Sequence, residues 1–117
     1  DGEYVTERHF HKAQAVFAGR GEDTSIYLLE GRPPPLQDSV ARLGRRVVIL
    51  DRDLNLITSF GAEEGGEGAD QFISPHGVAV DSEGSVYIAE VSFTARGSRL
   101  DPPREVISMR KWRRVSG

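Results

Sequence analysis

Apolar residues in this chain come in short runs separated by polar, glycine-bearing turns. The clearest case is residues 72–90, FISPHGVAVDSEGSVYIAE, where GVAV (77–80) and SVYIA (85–89) flank Asp81-Ser82-Glu83-Gly84. Runs of β-formers around an acidic turn that ends in glycine predict an antiparallel hairpin. A second hairpin is predicted where residues 46–50 turn through Asp51-Arg52-Asp53 into residues 54–60. Strands are also predicted at 14–18 and 25–30, joined by a turn at 19–24, and at 105–110, running on towards Trp112 and Val115. At the start, Asp1-Gly2 reads as half a hairpin turn feeding a strand at 3–6. Arg32-Pro33-Pro34-Pro35 forbids regular structure, because proline fixes φ and lacks an amide donor. Residues 36–44 have room for one helical turn. Residues 61–68, GAEEGGEG, read as a flexible acidic loop, and 92–104, SFTARGSRLDPPR, as a long irregular one.

One unit occurs twice. Residues 14–30 and 77–90 each read as strand, turn, strand with a central tyrosine (Tyr27, Tyr87), then glutamate (Glu30, Glu90). A long proline-bearing loop and a third strand follow each, at 46–50 and 105–109. The first unit adds a fourth strand at 54–60. Without its long loop the unit is about the 40–45 residues of a four-stranded propeller blade. Alternating strand direction then sends the short connections (19–24, 51–53, 81–84) to one face and the long ones (31–45, 61–76, 91–104) to the other. The long-loop face is the expected binding face, since functional loops sit on rigid strand scaffolds. Within a strand, Val78 and Val80 should pack on one neighbouring sheet and Ala79 on the other, with Val86/Ile88 and Tyr87/Ala89 dividing likewise.

Composition adds mainly exclusions. The chain has 117 residues, enough for one domain, with 38% apolar and 28% charged content. A formal charge of −3 gives no electrostatic case for nucleic acid. Arg110-Lys111-Trp112-Arg113-Arg114 is basic, but its alternation indicates an outer strand with a solvated face. No cysteine is present, which removes disulfides and thiolate metal sites. No apolar run approaches the length of a membrane span. The opening, DGEYVTE, is neither a methionine start nor a signal peptide, and reads as the middle of a longer chain.

PHGVAVDSEGSVYIAE resembles the NHL repeat, P-x-G-(V/I)-A-V-D-x-x-G-x-(V/I)-Y-V-(A/T)-D, with Glu90 in place of the final aspartate. VVILDRDLNLITSFG is similar to the third and fourth strands of such a blade, and GGEGADQF to its glycine-rich spacer. In the weaker first unit, Ala18 stands at the aspartate position. The ending, SFTARGSRLDPPREVISMRKWRRV, is similar to the last blade of bacterial six-bladed proteins related to the peptidyl-α-hydroxyglycine α-amidating lyase. The resemblance implies an all-β fold of four-stranded antiparallel propeller blades. Residues 1–8 would be the outer strand of a preceding blade, 9–60 the penultimate blade, and 61–117 the last blade, lacking its fourth strand. The remaining, N-terminal blades would belong to the same chain. The expected role is a scaffold that binds a small molecule, peptide or protein on its long-loop face. The alternative is a zinc-dependent lyase that cleaves peptidyl-α-hydroxyglycine to amidated peptide and glyoxylate.

His76 is the sharpest chemical candidate. In the lyase, histidines in P-H-G or P-H-S contexts ligate zinc, so the resemblance carries that role to Pro75-His76-Gly77. The competing assignment is an uncharged turn histidine, because a zinc site needs three protein ligands. The matching place in the first unit is assigned to Ala13. His9 and His11 alternate on one face of a polar link. Asp81, Glu90 and Glu30 suit an acidic inner rim for Ca²⁺ or a cationic substrate; for Asp81 the competing role is a turn cap on the Glu83 or Gly84 amide. Arg96, Arg99 and Arg104 are candidates to hold a carboxylate at the channel, against ordinary surface ion pairs. Residues 61–68 lack the lysine and Ser/Thr of a phosphate loop. No G-x-S-x-G elbow surrounds Ser92, and Glu63-Glu64 lie on a flexible loop, so neither a triad nor a carboxylate pair is indicated.

Overall fold

The computed structural model describes residues 2–10, 12–31, 45–62 and 64–115. Two antiparallel meanders form. The first sheet has the order β1 (Ala13–Ala18), β2 (Ile26–Glu30), β3 (Arg46–Leu50) and β4 (Leu56–Phe60). The second has β5 (Pro75–Val80), β6 (Val86–Glu90) and β7 (Met109–Trp112). A short helix, α1 (Ser92–Ala95), and a 3-10 turn at Gly97–Arg99 interrupt the segment between β6 and β7, which sequence alone reads as irregular. The prolines at 33–35 and the helical turn expected at 36–44 lie outside the described residues.

Two sequence expectations need correction. Residues 2–10 form no strand and are almost wholly exposed. A strand there would need a partner for its amides and carbonyls, and no described strand lies alongside it. The last strand is Met109–Trp112 rather than 105–110. Its register puts Met109 opposite Ala89 and Trp112 opposite Val86. That register carries Trp112 to the ring faces of Phe60 and Phe72, with centroids 5.4 and 5.1 Å away. Tilted aromatic contacts of this kind fix the strand where its most apolar residue is satisfied.

Ladder registers make the two sheets equivalent residue by residue. Ala13 pairs with Glu30 and Ala15 with Leu29, across a bulge at Gln14; Pro75 pairs with Glu90 and Gly77 with Ala89, across a bulge at His76. Tyr27 corresponds to Tyr87, and Val47 to Met109. Alternation then gives each sheet two faces. One face of the first sheet carries Ala15, Phe17, Tyr27, Leu29, Val47 and Ile49. It packs on Val78, Val80, Val86, Ile88 and Trp112 of the second, with Phe72 enclosed between them. Leu29, Val47, Phe72 and Ile88 are completely buried, so this inter-sheet layer is the core. Val78 and Val80 face it, as alternation predicts; Ala79, expected against a second neighbouring sheet, is exposed.

Opposite faces therefore meet, not like faces. The first sheet's outward face carries Val16, Ile26, Leu28 and Leu50, the counterparts of Val78, Val86, Ile88 and Trp112 with which the second sheet binds the first. Val48 beside them corresponds to Arg110. Val16 is 65% exposed there. An apolar groove of about 370 Å³ runs over this face, lined in part by Phe10, Val16, Ile26, Leu28 and Leu54.

Candidate functional site

Each sheet has a turn end and a loop end. The turn end carries the short connections 19–25, 51–55 and 81–85; the loop end carries 61–74 and 91–108. Glu30 and Glu90 stand at the loop end because each closes its strand opposite the start of the neighbouring one.

At the turn end, Asp81 accepts the Glu83 and Ser85 amides on Oδ1, at 2.9 and 3.0 Å, and the Tyr87 hydroxyl on Oδ2 at 2.9 Å. The Ser85 amide and the Tyr87 hydroxyl hold this carboxyl below its usual 3.8. Asp81 thus caps its turn at the opposite end of the sheet from Glu90, and the inner rim expected to join them does not form. The first sheet builds the same latch from a residue the sequence reading passed over. Asp23 accepts the Ser25 amide at 3.0 Å and the Tyr27 hydroxyl at 2.8 Å. The register equivalent of Asp81 is Gly19, not Ala18: the Gly19 amide donates to Ser25 O as the Asp81 amide does to Ser85 O. A Cβ on Gly19 would lie 2.5 Å from Asp23 Cγ, so the later aspartate reaches back into the space its counterpart's side chain fills. Burial, then the bond to Asp23, pushes the Tyr27 phenol up to about 12. A wedge of about 810 Å³ opens between the two turns, lined by residues that include Phe17, Arg20, Asp23, Asp81 and Arg114. Both carboxylates lining it are already engaged by amides and tyrosines.

At the loop end, Glu30 is buried with its Oε1 2.6 Å from Arg46 Nε. Glu90 occupies the equivalent position with different partners: its Oε1 accepts the Ile73 amide at 2.6 Å and the Ser74 amide at 3.0 Å. Glu90 Oε2 and Arg110 Nε are buried without hydrogen-bond partners among the described residues. Both glutamates are drawn inward to bind protein rather than presented to solvent as an acidic rim.

Burial lifts the Glu90 carboxyl above its ordinary 4.5, against the pull of the two amides and of Arg110 and Arg45. The folded state therefore keeps a proton that the unfolded chain releases near 4.5. Glu90's contribution to stability is complete below that value and is lost as pH rises through the raised folded value. Asp23, Asp51, Asp81 and Glu67 are shifted down, so their contributions fade only as pH falls. Glu90→Gln should flatten the decline in urea midpoint between pH 4.5 and neutrality. A slope unchanged from wild type would remove this role for Glu90.

His76 is exposed, in the β5 bulge. Its counterpart is Gln14, the bulge residue of β1, and not Ala13, because the irregularity falls at the same step in both ladders. His9 is exposed and 3.9 Å from Glu7 Oε2; His11 lies outside the described residues. Among the described residues, no three His, Cys, Asp or Glu side chains converge as metal ligands. The set around His76 therefore does not fit a zinc centre, and the set around Glu30, Glu90 and Asp81 does not fit a calcium centre.

The arginines expected to face a channel converge instead on a glutamate of the glycine-rich loop. Glu67 Oε2 accepts Arg96 Nε at 2.6 Å and Arg104 Nη2 at 3.1 Å, and its Oε1 accepts Arg104 Nη2 at 3.2 Å. Arg99 is exposed on the 3-10 turn and has no ion pair with Glu67. Arg110 completes the arrangement from β7, donating Nη2 to Glu67 O at 2.9 Å and Nη1 to Gly68 O. The loop is tied rather than loose: Gln71 Oε1 accepts the Gly68 amide at 2.8 Å, and the Gln71 amide donates to Gly68 O at 3.0 Å. Arg45 lies so close over Gly65 that a Cβ there would meet its Cζ at 2.8 Å. Glu67 is the central residue of this site, and sequence offered only its place in a Gly/Glu-rich run. A small hollow of about 150 Å³ lies beside it, lined by Arg45, Gly65, Gly66, Ile73, Ala95 and Arg96.

Fold and site together define an all-β protein of two face-packed antiparallel sheets with a loop end rich in arginine. No helix among the described residues is long and apolar enough to cross a membrane. No family model matches the chain, and neither a curated protein nor a solved structure does so.

Proposed function

We propose that the two sheets are neighbouring blades of an NHL-like β-propeller whose loop end binds a small molecule, peptide or protein partner. The observation that carries this reading is the pairing of unlike faces. When a unit binds its neighbour through opposite faces, each added unit leaves the same two faces open. Such heterologous contacts propagate until a ring closes. The apolar outward face of the first sheet, with exposed Val16, has the residue pattern by which the second sheet already binds the first. In a propeller it would be covered by the preceding blade. The ligand reading rests on the loop end, where Arg96 and Arg104 from a long connection and Arg110 from β7 meet at Glu67. A zinc lyase has no ligand set to use among the described residues, so no step is derived through a metal.

The test is an NMR titration of the full chain with a panel of short peptides bearing acidic, basic or neutral side chains. Amide shifts are expected at 65–74 and 92–104. Shifts confined to 19–25 and 81–85 would place binding in the turn-end wedge and overturn the reading.

A further inference from the structure

We propose that the Arg96–Arg104 pair is a carboxylate-binding subsite and that Glu67 is its built-in occupant, displaced when a ligand carboxylate arrives. This deepens the preceding reading and rests on the loop end being the binding face. Glu67 presents to the two guanidinium groups what an incoming carboxylate would: one oxygen shared by Arg96 Nε and Arg104 Nη2, and the second oxygen also on Nη2. Guanidinium groups pair with carboxylate and phosphate alike; the group seated on this pair is a carboxylate, and that sets the ligand class.

The side chains remain accessible, Arg96 at 44%, Arg104 at 56% and Glu67 at 26% exposed, so a ligand can reach the site and Glu67 can swing outward. The loop's backbone does not depend on that carboxylate. Arg110 holds the Glu67 and Gly68 carbonyls, and Gln71 holds Gly68 on both sides, so the chain stays in place when the side chain leaves. Arg96 and Arg104 both bond the one carboxylate, so exchange of one anion for another leaves neither guanidinium without its counter-charge. The bond from Arg96, followed by burial working upward and the bond from Arg104, leaves Glu67 below its ordinary 4.5, so the occupant is ionised at neutral pH.

The ligand class is an acid with a free carboxylate, either the side chain of an acidic peptide or a small organic acid. An internal occupant reduces apparent affinity by the fraction of time it fills the site. At ~90% occupancy its removal tightens binding about tenfold. The experiment titrates the full chain, as wild type, E67A, E67Q and E67A/R96A, with glutarate. A second arm uses an acetylated, amidated peptide carrying a single glutamate. Binding is read from the Arg Nε–Hε and loop amide signals, and circular dichroism confirms the fold of each variant. The expected result is about tenfold tighter binding by E67A than by wild type, with E67Q between them and E67A/R96A losing the gain. Glutarate binding alone assigns the site to small acids; peptide binding assigns it to acidic segments. Equal affinity in wild type and E67A, with shifts still at 65–74 and 92–104, overturns the latch and leaves the loop-end reading standing. Tight binding by E67A that survives R96A also overturns it. Shifts confined to 19–25 and 81–85 overturn the loop-end reading itself, and the latch with it.

Discussion

Arg46→Met is expected to cost about 3–5 kcal/mol of folding stability, the usual range when one member of a buried ion pair is removed. Glu30 is fully enclosed at the end of β2, and its Oε1 lies 2.6 Å from Arg46 Nε across the β2–β3 ladder. Take the guanidinium away and the carboxylate remains buried without its counter-charge. The loss therefore reflects the stranded charge more than the bond itself. A second variant separates the two. In Glu30→Leu/Arg46→Met both charges are replaced by apolar side chains of similar length, and most of the loss should be recovered. Urea unfolding of the four proteins in the cycle gives the coupling. If Arg46→Met alone leaves the midpoint unchanged, or if the double variant is as unstable as the single, the pair does not clamp the loop end.

Phe72→Ala should be comparably severe, at about 3–5 kcal/mol, because large-to-small changes in a closed core lose transfer energy and leave a cavity. Phe72 has no solvent exposure and sits between the sheets, with its ring 5.1 Å from that of Trp112. It is also the residue through which the linker after β4 enters the core, so its loss loosens both sheets together. Trp112 is the only tryptophan, and its fluorescence provides a direct probe. A red-shifted emission maximum in the folded variant should accompany the lower midpoint. Phe72→Leu keeps most of the apolar volume and should fall between wild type and alanine. A variant as stable as wild type, with unshifted emission, would show that Phe72 does not hold the sheets together.

Strand positions were legible because they depend on near neighbours. Alternating β-formers bounded by Asp-x-x-Gly turns predict β5 and β6 to within two residues, and the matched tyrosines and glutamates at 27/87 and 30/90 reveal the repeat. The last strand was misplaced because 105–109 is as apolar as 109–112. Only the fit of Trp112 between Phe60 and Phe72 decides between those registers. Position Gly19 was misread for a related reason. The turn after β1 is longer than the one after β5, so alignment by spacing put Ala18 at a place that hydrogen bonding gives to Gly19.

The site was less legible than the fold. His76 was singled out from its local context, but a ligand set depends on side chains brought from elsewhere, and none converge on it among the described residues. Glu67 was passed over as one acid in a flexible run, although its partners lie 29 and 37 residues further along.

By itself, then, the sequence determined strands β1 to β6, their turns, which of their side chains face the core, and the end of the sheets to which the long loops go. Those follow from backbone geometry and the two-residue period of a strand, which act over a few residues. Tertiary structure alone decided what the charged side chains do: Glu30 paired with Arg46, Glu90 turned onto the Ile73 and Ser74 amides, and Glu67 held by Arg96 and Arg104. A carboxylate's partner is set by distance in space and by the cost of burying it unpaired, and neither quantity exists until the loops have been folded against the sheets.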